Sequence, residues 1–217
     1  MRPECPASSS NLSSMRLAGG SRARAPIAAP KGRRTRPTGA KVREAMFAVL
    51  ADRIKGARVL DLFAGSGALG LEAMSRGAGS VVFVDNDANA VMTIRRNAVR
   101  IIPDGERWRI MPMPAMRALR TLRGAFDLVL VDPPYDRGAT EELRLMMQRG
   151  LLNAEGIVVI EHPSDAEPQL PGSLRVVKRA QYGDTALMFV AARGSGEAAS
   201  VDERVAARAP SGRKRAR

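Results

Sequence analysis

Two short stretches of this chain carry side chains whose types and spacing can do chemistry. The first is Asp132-Pro133-Pro134-Tyr135, which follows the apolar run Phe126-Asp127-Leu128-Val129-Leu130-Val131. A nucleobase amino group is a poor nucleophile because its lone pair is delocalised into the ring. Two hydrogen-bond acceptors held against its protons favour a pyramidal nitrogen whose lone pair points at a methyl donor. Asp132 supplies one acceptor. Pro133 has no N–H but offers its carbonyl, and two consecutive prolines stiffen the loop so that both acceptors are set in advance. Tyr135 adds a ring on which an extruded base can stack. A sulfonium donor is already activated, so this chemistry needs no metal, and Asp132 can take the surplus proton.

The second stretch is Asp61-Leu62-Phe63-Ala64-Gly65-Ser66-Gly67-Ala68-Leu69-Gly70. It sits where an apolar strand pattern turns into a helical one, and its glycines let a ligand approach the backbone. Gly65, Gly67 and Gly70 also satisfy G-x-G-x-x-G, which by itself permits a nicotinamide or flavin enzyme. Asp61 argues for a different ligand. A carboxylate ahead of the glycines suits the ammonium end of a zwitterionic amino acid and repels a pyrophosphate, and S-adenosylmethionine is such a ligand. Asp85, closing the next strand pattern, can accept hydrogen bonds from ribose hydroxyls in either case.

These residues need a scaffold that brings strand ends together. Apolar positions from Gly39 to Arg53 recur at three and four, a helical stripe. Arg58–Phe63 is expected to be a strand, followed by a helix through Leu71, Met74 and Arg76. Ser80–Val84 is a second strand, buried on both faces, with a helix over about Ala88–Arg100. Trp108–Met111 is a weaker strand candidate, Ala115–Arg123 a helix, and Phe126–Val131 the strand that delivers Asp132. Thr140–Arg149 reads as a helix, and Gly156–Ile160, Ser173–Lys178 and Ala186–Ala191 as strands. Alternating strands and helices imply a mostly parallel sheet with both faces covered, and a ligand crevice at the carboxyl ends of the strands.

The formal charge of +13 is unevenly placed. Residues 1–43 carry +9 and residues 191–217 carry +4, leaving 44–190 neutral. A neutral domain with cationic ends suits a polyanionic partner, because each phosphate neutralised releases counterions. Residues 1–14 are polar and lack an apolar period, so they are expected to be disordered and dispensable, with function needing nothing before Met15. Residues 15–38 form a basic RNA-binding segment, 39–191 the catalytic domain and 192–217 a disordered basic tail. The cations from Arg16 to Arg43 are expected to supply most of the affinity for RNA. No stretch is apolar enough to span a membrane and no secretion signal opens the chain, so a cytoplasmic location is expected. The single cysteine, Cys5, precludes an intramolecular disulfide and a cysteine metal cluster, and it removes a thiol nucleophile for carbon-5 methylation of pyrimidines.

Taken together, several segments resemble the RsmD family, bacterial methyltransferases acting on a guanine N2 in 16S ribosomal RNA. They are Met15-Arg16-Leu17-Ala18-Gly19-Gly20, Arg36-Pro37-Thr38 with Arg43-Glu44 and Phe47, the long glycine motif running on to Leu71-Glu72-Ala73, Val131-Asp132-Pro133-Pro134-Tyr135, and Tyr182-Gly183-Asp184-Thr185. The glycine motif and Asp-Pro-Pro-Tyr are shared with other amino-methylating enzymes, so the N-terminal matches and the compact length single out this family. The resemblance implies a class I, Rossmann-like methyltransferase fold with a seven-stranded sheet and helices on both faces. It implies S-adenosylmethionine as cofactor, held by Asp61, Phe63, Ala64, Gly65, Gly67, Asp85 and Asn86, and a target amine held by Asp132 and Pro133 with Tyr135 beside it. The substrate is then 16S rRNA or an assembly intermediate of the small ribosomal subunit, the enzyme a monomer without metal. Such enzymes often place Asp or Asn after the third strand, facing the adenine amino group. Here the stretch is Met111-Pro112-Met113-Pro114-Ala115, Pro114 cannot make that bond, and backbone groups near Ala115 are expected to serve.

Three alternatives compete. A DNA adenine-N6 methyltransferase uses a similar Asp-Pro-Pro-Tyr, but no segment is long enough for a separate DNA-reading domain. A non-catalytic RNA-binding module need not keep both Asp61 and Asp132. A nicotinamide oxidoreductase leaves the Asp-Pro-Pro-Tyr unexplained. His162, beside Pro163, is expected to be solvated in a loop after its strand, and Trp108 to be a packing residue.

Overall fold

A computed structural model describes residues 15–29, 39–134 and 138–194. The expected segments 1–14 and most of 192–217 lie outside the described residues, as do 30–38 and Tyr135. The chain opens with a two-stranded antiparallel ribbon, β1 (Met15–Arg16) and β2 (Pro26–Ile27), and then α1 (Ala40–Val49) and α2 (Ala51–Ile54). The alternating part follows as β3 (Arg58–Leu62), α3 (Ala68–Ser75), β4 (Ser80–Asp85), α4 (Ala88–Ile101), β5 (Trp108–Pro112), α5 (Ala115–Thr121), β6 (Phe126–Val131) and α6 (Thr140–Gln148). Three strands complete it: β7 (Leu152–Pro163), β8 (Leu174–Tyr182) and β9 (Thr185–Ala192).

The seven main strands make one sheet in the order β5-β4-β3-β6-β7-β9-β8. β5 to β7 are parallel, whereas β9 runs antiparallel to both β7 and β8. This is the Rossmann-like methyltransferase arrangement expected, with seven strands and helices on both faces. Chain order reverses between β3 and β6, and an open α/β sheet offers its ligand crevice at such a switch point. Strand alternation sends Val59, Leu128, Leu130, Ile157 and Val159 to one core with α1, α3 and α4. Leu60, Leu62, Val129, Val131, Val158 and Ile160 go to a second core with α5 and α6. Both faces of the central strands are therefore apolar, which is why these strands read as unbroken hydrophobic runs.

Several boundaries differ from the sequence reading. The stripe from Gly39 to Arg53 is two helices, because Leu50 closes α1 by donating to the Met46 carbonyl and α2 starts one residue later. The weak candidate at Trp108 is a full strand along β4, its indole N–H donating to the Ile102 carbonyl at 3.1 Å while the ring packs on the first core. β7 and β8 are longer than expected, since pairing with β9 carries both strands well past their apolar centres. His162 is a correction of another kind. It lies within β7, paired with Ala186 and buried, and is not in a solvated loop.

The N-terminal ribbon is fastened to the domain through Glu72, on α3. Glu72 is fully buried; its carboxylate accepts the Ala18 and Gly19 N–H groups, each at 2.7 Å, and the Arg76 Nε–H at 2.8 Å. Arg43 lies 3.5 Å from the same carboxylate and donates to the Arg16 carbonyl. Burial pushes the Arg43 guanidinium below its ordinary value, against the opposing pull of Glu72. Arg43 is thus spent inside the fold and leaves the set of cations that RNA can reach. Gly20 has φ +80, and a Cβ there would fall 2.0 Å from the Ser75 carbonyl oxygen, so the ribbon seats only with glycine at this position. Leu17 and Ile27 then join the first core.

Candidate active site

The glycine loop leaves β3 and turns into α3 between two acidic side chains. Phe63, just after β3, has φ +60, a left-handed conformation that costs a bulky residue energy. The strained backbone directs Ala64 back to the sheet, where its N–H donates to the Val84 carbonyl at 3.0 Å. Gly65 (φ +56) and Gly67 (φ +76) take the same left-handed region without a Cβ penalty. At Gly70 the requirement is closeness: a Cβ would lie 2.4 Å from the Phe83 ring and 3.0 Å from Asp61 Oδ2.

Asp61 and Asp85 hold this loop from two sides. Asp61 Oδ2 accepts the Gly70 N–H at 2.9 Å. Asp85 Oδ2 accepts the Gly65 N–H at 2.8 Å, and its Oδ1 accepts the Asp87 N–H at 2.9 Å. Asp85 therefore braces the loop from the end of β4. Capping of α4 is done by Asp87, whose carboxylate accepts from the Asn89 and Ala90 N–H groups. Asp61 is only 1% exposed. Burial raises its pKa to about 8; the Gly70 hydrogen bond opposes the rise and the nearby Asp85 charge adds to it. A buried carboxyl in this condition is matched to a cation arriving in the crevice.

The remaining expected residues sit on the same edge. Asn86 is exposed just after β4, and Ala115 is buried at the start of α5, one short turn beyond the Asp85–Pro112 pair. Asp132 is half-buried at the end of β6, next to β3 in the sheet, and Pro133 behind it is buried. The β3–β6 register pairs Asp61 with Leu130 and Leu62 with Val131, so the glycine loop and the Asp-Pro-Pro loop leave neighbouring strands at the same level. The structure thus brings Asp61, Phe63, Ala64, Gly65, Gly67, Asp85, Asn86, Ala115, Asp132 and Pro133 to one edge, while Tyr135 lies outside the described residues.

A cavity of about 210 Å³ opens beside Pro133 and Pro134, walled by Ala139, Ile160, Glu161 and His162 among others. His162 Nδ1 lies 2.7 Å from the Pro163 carbonyl oxygen. A carbonyl only accepts, so Nδ1 carries a proton and donates it to this bond. Glu161, 2% exposed, stands one step past the Val131–Ile160 pair and so beside Asp132 on the adjacent strand. Sequence reasoning misses Glu161 and leaves His162 in solvent, because the full length of β7 is not visible in its apolar pattern. Among the described residues, no group of three or more His, Cys, Asp or Glu is placed to hold a metal, and no helix is long and apolar enough to cross a membrane.

Residues 15–191 match the family described as Conserved hypothetical protein 95. The chain is 35% identical over 158 residues to ribosomal RNA small subunit methyltransferase D of Escherichia coli (strain K12), covering 72% of this chain and 78% of that protein. It is 34% identical over 184 residues to YlbH of Bacillus subtilis (strain 168), covering 83% of this chain and all of that one. Among solved structures, a hypothetical protein of Thermus thermophilus superposes with a TM-score of 0.68 at 32% identity, over 81% of this chain and 98% of its own.

Proposed function

We propose, on the premise that this chain belongs to the RsmD family of methyltransferases, that it methylates the exocyclic N2 amine of a guanine in 16S ribosomal RNA. The methyl donor is S-adenosylmethionine and the substrate a small-subunit RNA, free or in an assembly intermediate. The observation that carries this reading is the adjacency of the two loops: a glycine loop held between Asp61 and Asp85, and Asp132-Pro133 leaving the next strand at the same level.

The crevice fits the cofactor. Asp61, buried and raised to about 8, gives up its proton and becomes a carboxylate when the amino-acid ammonium arrives beside it, whereas a pyrophosphate would hold that proton in place and gain no counter-charge there. Asp85 would meet the ribose, the backbone at Phe63–Gly67 would lie against the ligand with Asn86 at its rim, and backbone groups near Ala115 would serve the adenine. S-adenosylmethionine would supply a methyl group already activated on a sulfonium, which would leave as a neutral thioether once the methyl is on nitrogen. The work left to this chain is orientation and proton handling. Asp132 and the Pro133 carbonyl would accept hydrogen bonds from the two N2 protons, directing the amine lone pair along the transfer line. Asp132 would then receive the surplus amine proton and return it to solvent. The cavity beside Pro133 gives the extruded base room, and its unstacking is offset by contacts made there.

Asp132→Ala tests the assignment. Cofactor affinity measured by calorimetry should stay within a few-fold, while single-turnover transfer to unmethylated 16S rRNA or small subunits falls by two or more orders of magnitude, roughly the cost of losing a preorganised acceptor. Nucleoside digestion followed by mass spectrometry should show N2-methylguanosine as the product. Normal turnover by the variant, or methylation of adenine, defeats the proposal.

A further inference from the structure

Asn97 is the buried polar residue of α4, and the site described above leaves it unused. It is 1% exposed. Its side chain is fully engaged with two segments far apart in sequence. Oδ1 accepts the Ala28 N–H at 3.0 Å, and Nδ2–H donates to the Ala28 carbonyl at 3.0 Å, an amide pairing that mimics a strand partner for the backbone just after β2. The same Nδ2 donates to the Ser66 carbonyl at 2.9 Å. Ser66 lies between Gly65 and Gly67, in the turn between β3 and α3. One amide therefore fastens the N-terminal ribbon and the cofactor loop to each other, with α4 as the rigid support.

The ribbon also carries exposed positive charge: Arg16 on β1 and Arg22 and Arg24 in the turn before β2 are all exposed, and none is in a salt bridge among those between described residues. A polyanion gripping this ribbon presses on a segment whose position Asn97 shares with Ser66. The glycines flanking Ser66 have left-handed backbones; Asp85 ties the loop at Gly65 and Asp61 ties it at Gly70, and the Asn97 amide is the side-chain tie at the Ser66 carbonyl between them. Without the Nδ2 donor, the Ser66 carbonyl loses its fixed direction and the loop must be ordered by the ligand, at a cost in affinity.

We propose that Asn97 is a positioning residue that makes the N-terminal ribbon part of the cofactor site, so that RNA on the ribbon and S-adenosylmethionine on the glycine loop strengthen each other's binding. This rests on the reading of the crevice as an S-adenosylmethionine site and of the substrate as RNA. Linkage requires the coupling to be reciprocal: whatever factor RNA contributes to cofactor affinity, the cofactor contributes to RNA affinity.

The test measures S-adenosylmethionine affinity by calorimetry on the full chain, with and without a 16S rRNA transcript, for the wild type, Asn97→Asp and Asn97→Ala. Asn97→Asp keeps the acceptor for Ala28 N–H and removes both donated bonds. In the wild type, RNA should tighten cofactor binding by about fivefold or more, the lower end of ordinary coupling. Both variants should bind the cofactor several-fold more weakly and show coupling within twofold of none, with KM for the cofactor raised and kcat at saturation within a few-fold. Trp108→Phe serves as the stability control. It removes the indole bond to the Ile102 carbonyl, just after α4, and should lower the melting temperature while leaving affinity and coupling intact. A wild type without coupling overturns the inference, as do variants that retain it or a Trp108→Phe that loses it equally. A wild type that binds no S-adenosylmethionine at all instead overturns the assignment of the crevice.

Discussion

Asp61 carries a conflict between folding and binding that can be measured. Its carboxyl titrates near 8 in the fold against an ordinary value of 3.8. A raised acid binds its proton more tightly folded than unfolded, so its contribution to stability is complete below about pH 4 and declines as pH rises towards 8. Asp61→Asn removes that decline while keeping an acceptor for Gly70 N–H. The ligand-free variant should melt several degrees higher than wild type at pH 8, and the two should converge near pH 4, in a calorimetric pH series. The same substitution should weaken S-adenosylmethionine binding about tenfold or more. Wild-type binding at pH 7 should release protons, seen as a buffer-dependent heat. The identity of this residue was legible in the sequence because a carboxylate before a glycine loop is unusual for a dinucleotide site. Its burial was not, since it depends on Phe83 and Val81 closing over Gly70 from the neighbouring strand.

At the scale of elements, the N-terminal ribbon depends on one buried carboxylate. Glu72 gathers two backbone N–H groups and two guanidinium groups, and Glu72→Ala leaves Arg43 buried without its counter-charge. Removing one partner from such a pair costs about 3–5 kcal/mol. Chemical denaturation should record a loss of that size, and protease digestion should cut within 15–29 before the rest of the domain. Unchanged stability would show that the ribbon is held by Leu17 and Ile27 alone. Elements whose pattern is complete within themselves were readable in advance: unbroken apolar runs for β3, β4 and β6, and a single stripe for α4. The seating of the ribbon was not, because its strands are two residues each and are placed by contacts more than fifty residues distant. β7 and β8 were read short for the same reason: their outer parts are polar enough to pass for loop and are strands because neighbouring strands pair with them, β6 at Leu152 and β9 beyond Ile160 for β7, and β9 for β8.

For the whole molecule, the relevant quantity is where positive charge remains available once the fold has used what it needs. Besides Arg43 and Arg76, Arg58 donates to the Ala125 and Arg123 carbonyls with its guanidinium 4.2 Å above the Phe126 ring, and Arg107 donates to the Ala78 and Gly79 carbonyls. A count of basic residues therefore overstates what a polyanion can meet within the domain. The exposed cations of the ribbon, Arg16, Arg22 and Arg24, differ from these in facing solvent beside a segment tied to the cofactor loop. Exchanging all three for glutamine should weaken binding to a 16S rRNA transcript at every salt concentration. It should also reduce the slope of log K against log salt by about 0.7–0.9 for each phosphate no longer neutralised, so by roughly two in all. Arg43→Gln, by contrast, should lower stability and leave that slope unchanged. Filter binding across a salt series on the wild type and both variants, with folding checked by circular dichroism, separates the two effects. A slope unmoved by the triple exchange places the RNA on another face of the domain.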